Sequence, residues 1–312
     1  NISLSLVSKR KMYYVLSGII ITAGIVSFAT RGFDQGVDFT GGRSYLVRFD
    51  NAVDVEGVRN NLADVFVAED GRKLPPEIKI FGASNQVKIT TKYLIDDNSD
   101  DAEQKVEETL KSGLTKSASG FEIMSSQKVG PTIADDLKFD ATMSVIFALL
   151  IIFIYIVIRF RKWEFGLGAL VAMVHDVLVV LSVFSLFYGI LPFSLEIDQA
   201  FIAAILTVVG YSINDTVVVF DRIREYTGLY KRKQFAEVVN DALNSTLSRT
   251  INTSLTTFFV LLMIFVFGGE VIRGFVFALM VGIVVGTYSS LFVATPIIVD
   301  FAKKEGPDSG KK

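Results

Sequence analysis

Six stretches of this chain are apolar for long enough to cross a bilayer: about 12 to 30, 141 to 158, 165 to 187, 197 to 220, 251 to 268 and 275 to 299. Runs of that length match the thickness of membrane hydrocarbon. The one long polar segment lies between the first and second runs. The expected plan is therefore an N-terminal flank and first helix over 1–30, a domain over 31–140, five further helices over 141–300 joined by short links, and a tail over 301–312. A hydrophobic share of 51% exceeds what a soluble core uses, and the mean hydropathy of +0.47 agrees. The chain reads as an α-helical polytopic membrane protein with six transmembrane helices.

Lysine and arginine set the orientation. Lys9, Arg10 and Lys11 precede the first span, Arg159, Arg161 and Lys162 follow the second, and Arg222, Arg224, Lys231, Arg232, Lys233 and Arg249 lie between the fourth and fifth. Lys303, Lys304, Lys311 and Lys312 follow the sixth, so all of these fall on one side. The opposite links, 189–198 and 268–274, hold only Arg273. Both termini are expected in the cytoplasm and the domain at 31–140 outside.

Within that domain SYLVRF (44–49) alternates as a strand would, and Asp54 can cap a helix bearing Val55, Val58, Leu62 and Val65 on one face. EIKIF (77–81) and QVKIT (86–90) read as a hairpin, 100–113 as a helix buried along Ala102, Val106 and Leu110, and FEIMSSQKV (121–129) as a last strand. The order β-α-β-β-α-β is that of the α+β ferredoxin-like split unit. GVDFTGG (36–42) supplies Gly36, Gly41 and Gly42 for an unusual backbone, a hinge joining the first helix to the domain. Pro131 suits the first turn of the helix that leads into the second span.

The fourth run carries a carboxylate, Asp215, well before its charged end at Asp221. At about 1.5 Å per residue it lies roughly 9 Å inside that end, within hydrocarbon. Ionisable groups at such depth are costly and often mark ion or proton paths. Provided water reaches it, Asp215 can exchange a proton; the structural alternative is a carboxyl bonded to a neighbouring helix. Ser212 lies on its side of the helix and Asn214 beside it. Arg249, continued by Asn252, Thr253 and Thr256 along one side of the fifth span, could reach Asp215 from the adjoining helix. His175 and Asp176 fall in the middle of the third span, as a relay or as polar glue between helices. In the sixth span Ala278, Gly282, Gly286 and Ser290 make a flat side for close helix packing.

Other chemistry finds little support. No cysteine is present, which excludes disulfides and thiolate sites, and a single histidine argues against zinc. A net charge of −2 and the absence of a phosphate-binding glycine loop give no sign of a nucleic-acid partner. No hydrolytic triad or catalytic carboxylate pair is apparent, and no cofactor is expected beyond protons as the coupling ion. The tail EGPDSGKK reads as disordered, and the start at Asn1 without a signal pattern reads as a portion of a longer polypeptide.

Five stretches in combination, GVDFTGG (36–42), VGPTIADDL (129–137), ALVAMVHDVL (169–178), VGYSINDTVVVFDRIRE (209–225) and SRTINTSLTT (248–257), resemble the SecD/SecF family, on its SecF side. The resemblance covers nearly the whole chain. It implies the half-unit of the resistance-nodulation-division architecture in the bacterial inner membrane. It also implies the family's task, assisting the SecYEG translocon with the proton motive force while unfolded polypeptide crosses. Asp215 then matches the family's carboxylate in the fourth helix and Arg249 the arginine opening the fifth, both parts of a proton site completed by an aspartate of SecD. The SecD half is not in this chain. The rival readings are a proton-coupled exporter of small molecules or lipids, and a scaffold that braces the translocon without moving protons.

Overall fold

The computed structural model describes residues 5–68, 71–97, 99–118 and 120–302; the tail EGPDSGKK lies outside them. Along the chain the elements are α1 (Arg10–Arg31), the single turn α2 (Val37–Thr40), β1 (Gly42–Phe49), α3 (Val55–Ala63), β2 (Glu77–Ile80), β3 (Gln86–Thr91), α4 (Asp100–Thr115) and β4 (Phe121–Val129). Then come α5 (Pro131–Phe160), α6 (Trp163–Phe187), α7 (Gln199–Leu229), α8 (Phe235–Phe267), α9 (Glu270–Ser289), a π-helical turn at Ser290–Ala294 and α10 (Thr295–Phe301). The described residues include six helices long and apolar enough to span a membrane, the last running from Glu270 through the π turn to Phe301.

The chain divides into two compact units. The first takes in residues up to Phe33, Met143–Tyr188 and the chain from Ala200 on. Its helices outrun the apolar stretches: α8 starts at Phe235, well before residue 251, because polar turns carrying Val238, Val239, Ala242 and Leu243 still bury one face. Small residues let its backbones approach. A Cβ on Gly282 would stand 2.0 Å from Val208 Cγ2, and one on Gly286 would stand 3.0 Å from Ser212 Cβ, so α9 lies directly against α7. The π turn has a local cause. Pro296 has no N–H to give to the carbonyl four residues back, so the ladder slips, and Thr295 Oγ1 donates to the Ser290 carbonyl at 2.9 Å.

The second unit comprises Asp34–Thr142 and Gly189–Gln199. Its four strands form an antiparallel sheet in the order β2-β3-β1-β4, with Tyr45 opposite Ile89 on β3 and Ser126 on β4. The alternation read in β1 puts Tyr45, Val47 and Phe49 on one face, against Val58 and Leu62 of α3 and Val106 and Leu110 of α4. Burying each such side chain contributes about 1.5–3 kcal/mol. Asp54 caps α3 by accepting from the Glu56 N–H at 3.1 Å. Residues Gly189–Gln199, which the sequence suggests only as a link between spans, pack as part of this unit. Ile197 pairs with Gln35 in a short parallel bridge, its N–H donating to the Asp34 carbonyl at 2.7 Å and its carbonyl accepting from Gly36 N–H at 2.9 Å.

Candidate functional site

α7 turns one face to the interior of the first unit, carrying Ser212, Asp215, Thr216 and Val219, all buried. These positions recur every three or four residues, so they form one stripe. Asn214 falls off that stripe and is exposed. Asp215 is only 4% exposed, and its sole hydrogen bond among the described residues comes from Ser254 Oγ on α8, at a long 3.3 Å. Ser254 accepts in turn from Thr287 Oγ1 of α9 at 2.6 Å. Thr287 can instead donate to its own helix at Ile283 O, 2.8 Å away, and one hydroxyl proton cannot serve both.

Arg249 acts on Asp215 through its charge but makes no hydrogen bond or ion pair with it among the described residues. On α8 the stripe facing inward is Thr246, Thr250 and Ser254, spaced four apart and all buried. Arg249 and its companions Asn252, Thr253 and Thr256 lie on another side of the helix and are exposed. Thr253 spends its hydroxyl on the Arg249 carbonyl at 3.0 Å. The residue that reaches Asp215 is thus Ser254, which the sequence reading overlooked although its four-residue spacing from Thr246 and Thr250 was available.

Asp176 sits at a second and denser polar centre. It has no exposed surface and accepts three hydrogen bonds: from Ser212 Oγ of α7 at 2.6 Å, from Ser289 Oγ of α9 at 2.8 Å, and on its other oxygen from His175 Nδ1 at 3.0 Å. His175 Nε2 meets Ser17 Oγ of α1 at 2.9 Å, Ser17 meets Tyr288 Oη at 3.2 Å, and Tyr288 donates to the Tyr13 carbonyl at 3.0 Å. Four helices are tied through this chain of groups. Ser17 stands in an apolar run and Tyr288 and Ser289 in the short polar run TYSS (287–290), and nothing in the sequence indicates that they converge.

Toward the far end of α7, Asp221 pairs with Arg159 and Arg224 at 3.3 Å each, and Arg222 with Glu225 at 2.8 Å. These side chains are exposed, and such pairs are worth little. In the second unit, GVDFTGG folds as the turn α2 followed by Gly41 at φ +66 and Gly42 at φ +143, angles that side-chain-bearing residues rarely adopt. Gly36 has an ordinary φ; a Cβ there would stand 2.5 Å from Glu196 Oε1. No cluster of potential metal ligands occurs among the described residues.

Six helices long and apolar enough to span a membrane, two carboxylates buried among them and a small sheet unit together fit a polytopic membrane protein. The family described as protein export membrane protein SecD/SecF, C-terminal, matches residues 109–304, and the SecD/SecF GG motif matches residues 26–53. The chain belongs to the SecD/SecF family. A protein translocase subunit SecF from Rhodothermus marinus is 47% identical over 300 residues, covering 96% of this chain and 94% of the relative. The SecF subunit of Haemophilus influenzae is 37% identical, covering 93% and 84%. Among solved structures, SecDF from Thermus thermophilus, described as a translocon-associated membrane protein, superposes with a TM-score of 0.80 at 33% identity over 96% of this chain. The chain spans 39% of that SecDF molecule.

Proposed function

We propose that this chain is the SecF component of a SecD–SecF assembly that assists the SecYEG translocon, drawing unfolded polypeptide across the bacterial inner membrane at the expense of the proton motive force. The curated relatives are named as translocase subunits and cover nearly the whole chain, which supports this over a small-molecule or lipid exporter. The lysine and arginine asymmetry supports cytoplasmic termini and a periplasmic sheet unit. The strand order β2-β3-β1-β4 with two helices on one face supports the ferredoxin-like reading of that unit. No hydrolytic chemistry is assigned to the chain.

The mechanism rests on the state of Asp215: buried, held by one long hydrogen bond, with the exposed Arg249 on the neighbouring helix acting on it through charge and making no ion pair among the described residues. A carboxylate so loosely held can change protonation and partner without dismantling its surroundings. The exposed side of α8 that carries Arg249, Asn252 and Thr253 is where the SecD half completes the site. Protonation of Asp215 then alters its relation to Arg249, shifts α7 against α8 and moves the outer domains that hold substrate. One charge crossing 100 mV yields about 2.3 kcal/mol, enough to bias a two-state equilibrium more than tenfold. The test is Arg249→Met in the assembled complex, with proton uptake into vesicles followed by a pH-sensitive dye. Loss of uptake supports the site, and full uptake removes Arg249 from it.

A further inference from the structure

The first backbone N–H groups of a helix have no partner within it and need one from outside. α7, the helix that bears Asp215, obtains one from far away in sequence: Gln199 N–H donates to Asp38 Oδ2 at 3.0 Å, across 161 positions. A carboxylate at a helix N-terminus is also favoured by the helix dipole. The other oxygen of Asp38 accepts from Gln127 Nε2 on β4 at 2.6 Å, and the residue is only 8% exposed. One carboxylate therefore joins the last strand of the sheet to the first turn of α7.

Neighbouring contacts reinforce that join. Glu196 meets Lys88 Nζ of β3 at 2.5 Å, with both side chains largely buried. Leu195 and Ile197 are buried on either side, and Ile197 is stitched to Asp34 and Gly36 by the parallel bridge. Gly36 allows this arrangement, since a side chain there would collide with Glu196. All these contacts lie inside the second unit, which α7 leaves after its first residue. From Gln199 to Asp215 the helix runs sixteen residues, about 24 Å of continuous rod.

We propose that Asp38 and the Lys88–Glu196 pair are positioning residues that fasten the start of α7 to the sheet, so that displacement of α7 at Asp215 is delivered to the outer domain. The inference rests on Asp215 being the proton site. The segment Glu196–Gln199 works as a strap that stays attached through the cycle. The role of the GVDFTGG aspartate is then mechanical: it transmits motion and takes no part in proton transfer.

The test uses the assembled complex with a cysteine-free SecD half, measuring export and proton uptake in vesicles for Asp38→Ala/Glu196→Ala, with and without Gln35→Cys/Ile197→Cys. This chain has no cysteine of its own, so only the introduced pair can bridge. The expected result for Asp38→Ala/Glu196→Ala is roughly tenfold loss of the force-dependent part of export, the scale of one lost coupling step, with proton uptake retained. Oxidising the added cysteine pair restores export and reducing it removes export again. Undiminished export, loss that oxidation does not repair, or loss of uptake together with export each overturns the coupling role and leaves these groups as folding contacts. An Asp215→Asn control separates the two ideas. Force-dependent export that survives there defeats the proton-site reading, whereas loss there beside undiminished export in Asp38→Ala/Glu196→Ala defeats only the strap.

Discussion

Asp176 and Asp215 are carboxylates buried in one helix bundle, and Ser212, which holds the first, lies a single turn before the second along α7. Asp176 accepts three hydrogen bonds of 2.6 to 3.0 Å from residues of three helices, while Asp215 accepts one of 3.3 Å. Depth alone therefore does not distinguish a working carboxylate from a structural one; the number and quality of its partners does. A saturated group is fixed, because any change of charge or place strands several buried donors. An under-satisfied group can change at little cost. By this criterion Asp176 joins α6, α7 and α9 through its hydrogen bonds, and Asp215 is the carboxylate proposed to respond to protons.

The contrast can be broken by substitution. Asp176→Ala strands Ser212, Ser289 and His175 and is expected to cost about 3–5 kcal/mol, read as a large fall in the unfolding midpoint in detergent. A variant as stable as the parent would erase the difference between the two sites. The hydroxyls sharpen it further. Ser289→Ala removes a bond to the saturated carboxylate and should cost about 1.5–3 kcal/mol, whereas Ser254→Ala, at the loosely held one, should cost about 0.5–1.5 kcal/mol. Equal losses in paired denaturation measurements would contradict the ranking.

A third carboxylate extends the comparison outside the membrane spans. Burial pushes the Glu196 carboxyl above its ordinary value of 4.5, against the opposing pull of Lys88. The folded unit then retains a proton that the unfolded chain has released, so stability falls as pH rises through the range above 4.5. Glu196→Gln should flatten that slope in a plot of unfolding midpoint against pH. An unchanged slope would assign it to other groups.

Much of this was legible in the sequence, for physical reasons. Six apolar runs are long enough to span and all fall in long helices, and the alternation of Tyr45, Val47 and Phe49 and the four-residue step from Ala102 through Val106 to Leu110 match a strand and a buried helix stripe. Asp215 stood out by type and depth. What stayed hidden depends on the rotation of helices about their axes and on contacts far apart in sequence. Arg249, expected to reach Asp215 from the adjoining helix, acts on it through charge, while the rotation of α8 gives the hydrogen bond to Ser254. The convergence of Ser17, His175, Ser212 and Ser289 draws on four separate helices. The cap that Asp38 provides for α7 bridges 161 positions, and the loop at Gly189–Gln199 gave no local sign that it packs in the unit that holds the sheet.

The proposed mechanism stands or falls on Asp215 as the proton-responsive group. Export into inverted membrane vesicles carrying the complex with its SecD half tests it most directly, comparing the parent with Asp215→Asn while the proton motive force is imposed or collapsed. Asp215→Asn is expected to fold and assemble with a stability within about 1 kcal/mol of the parent and to lose the force-dependent part of export. Stimulation by the imposed force that is unchanged in Asp215→Asn would contradict it and make this carboxylate a packing residue.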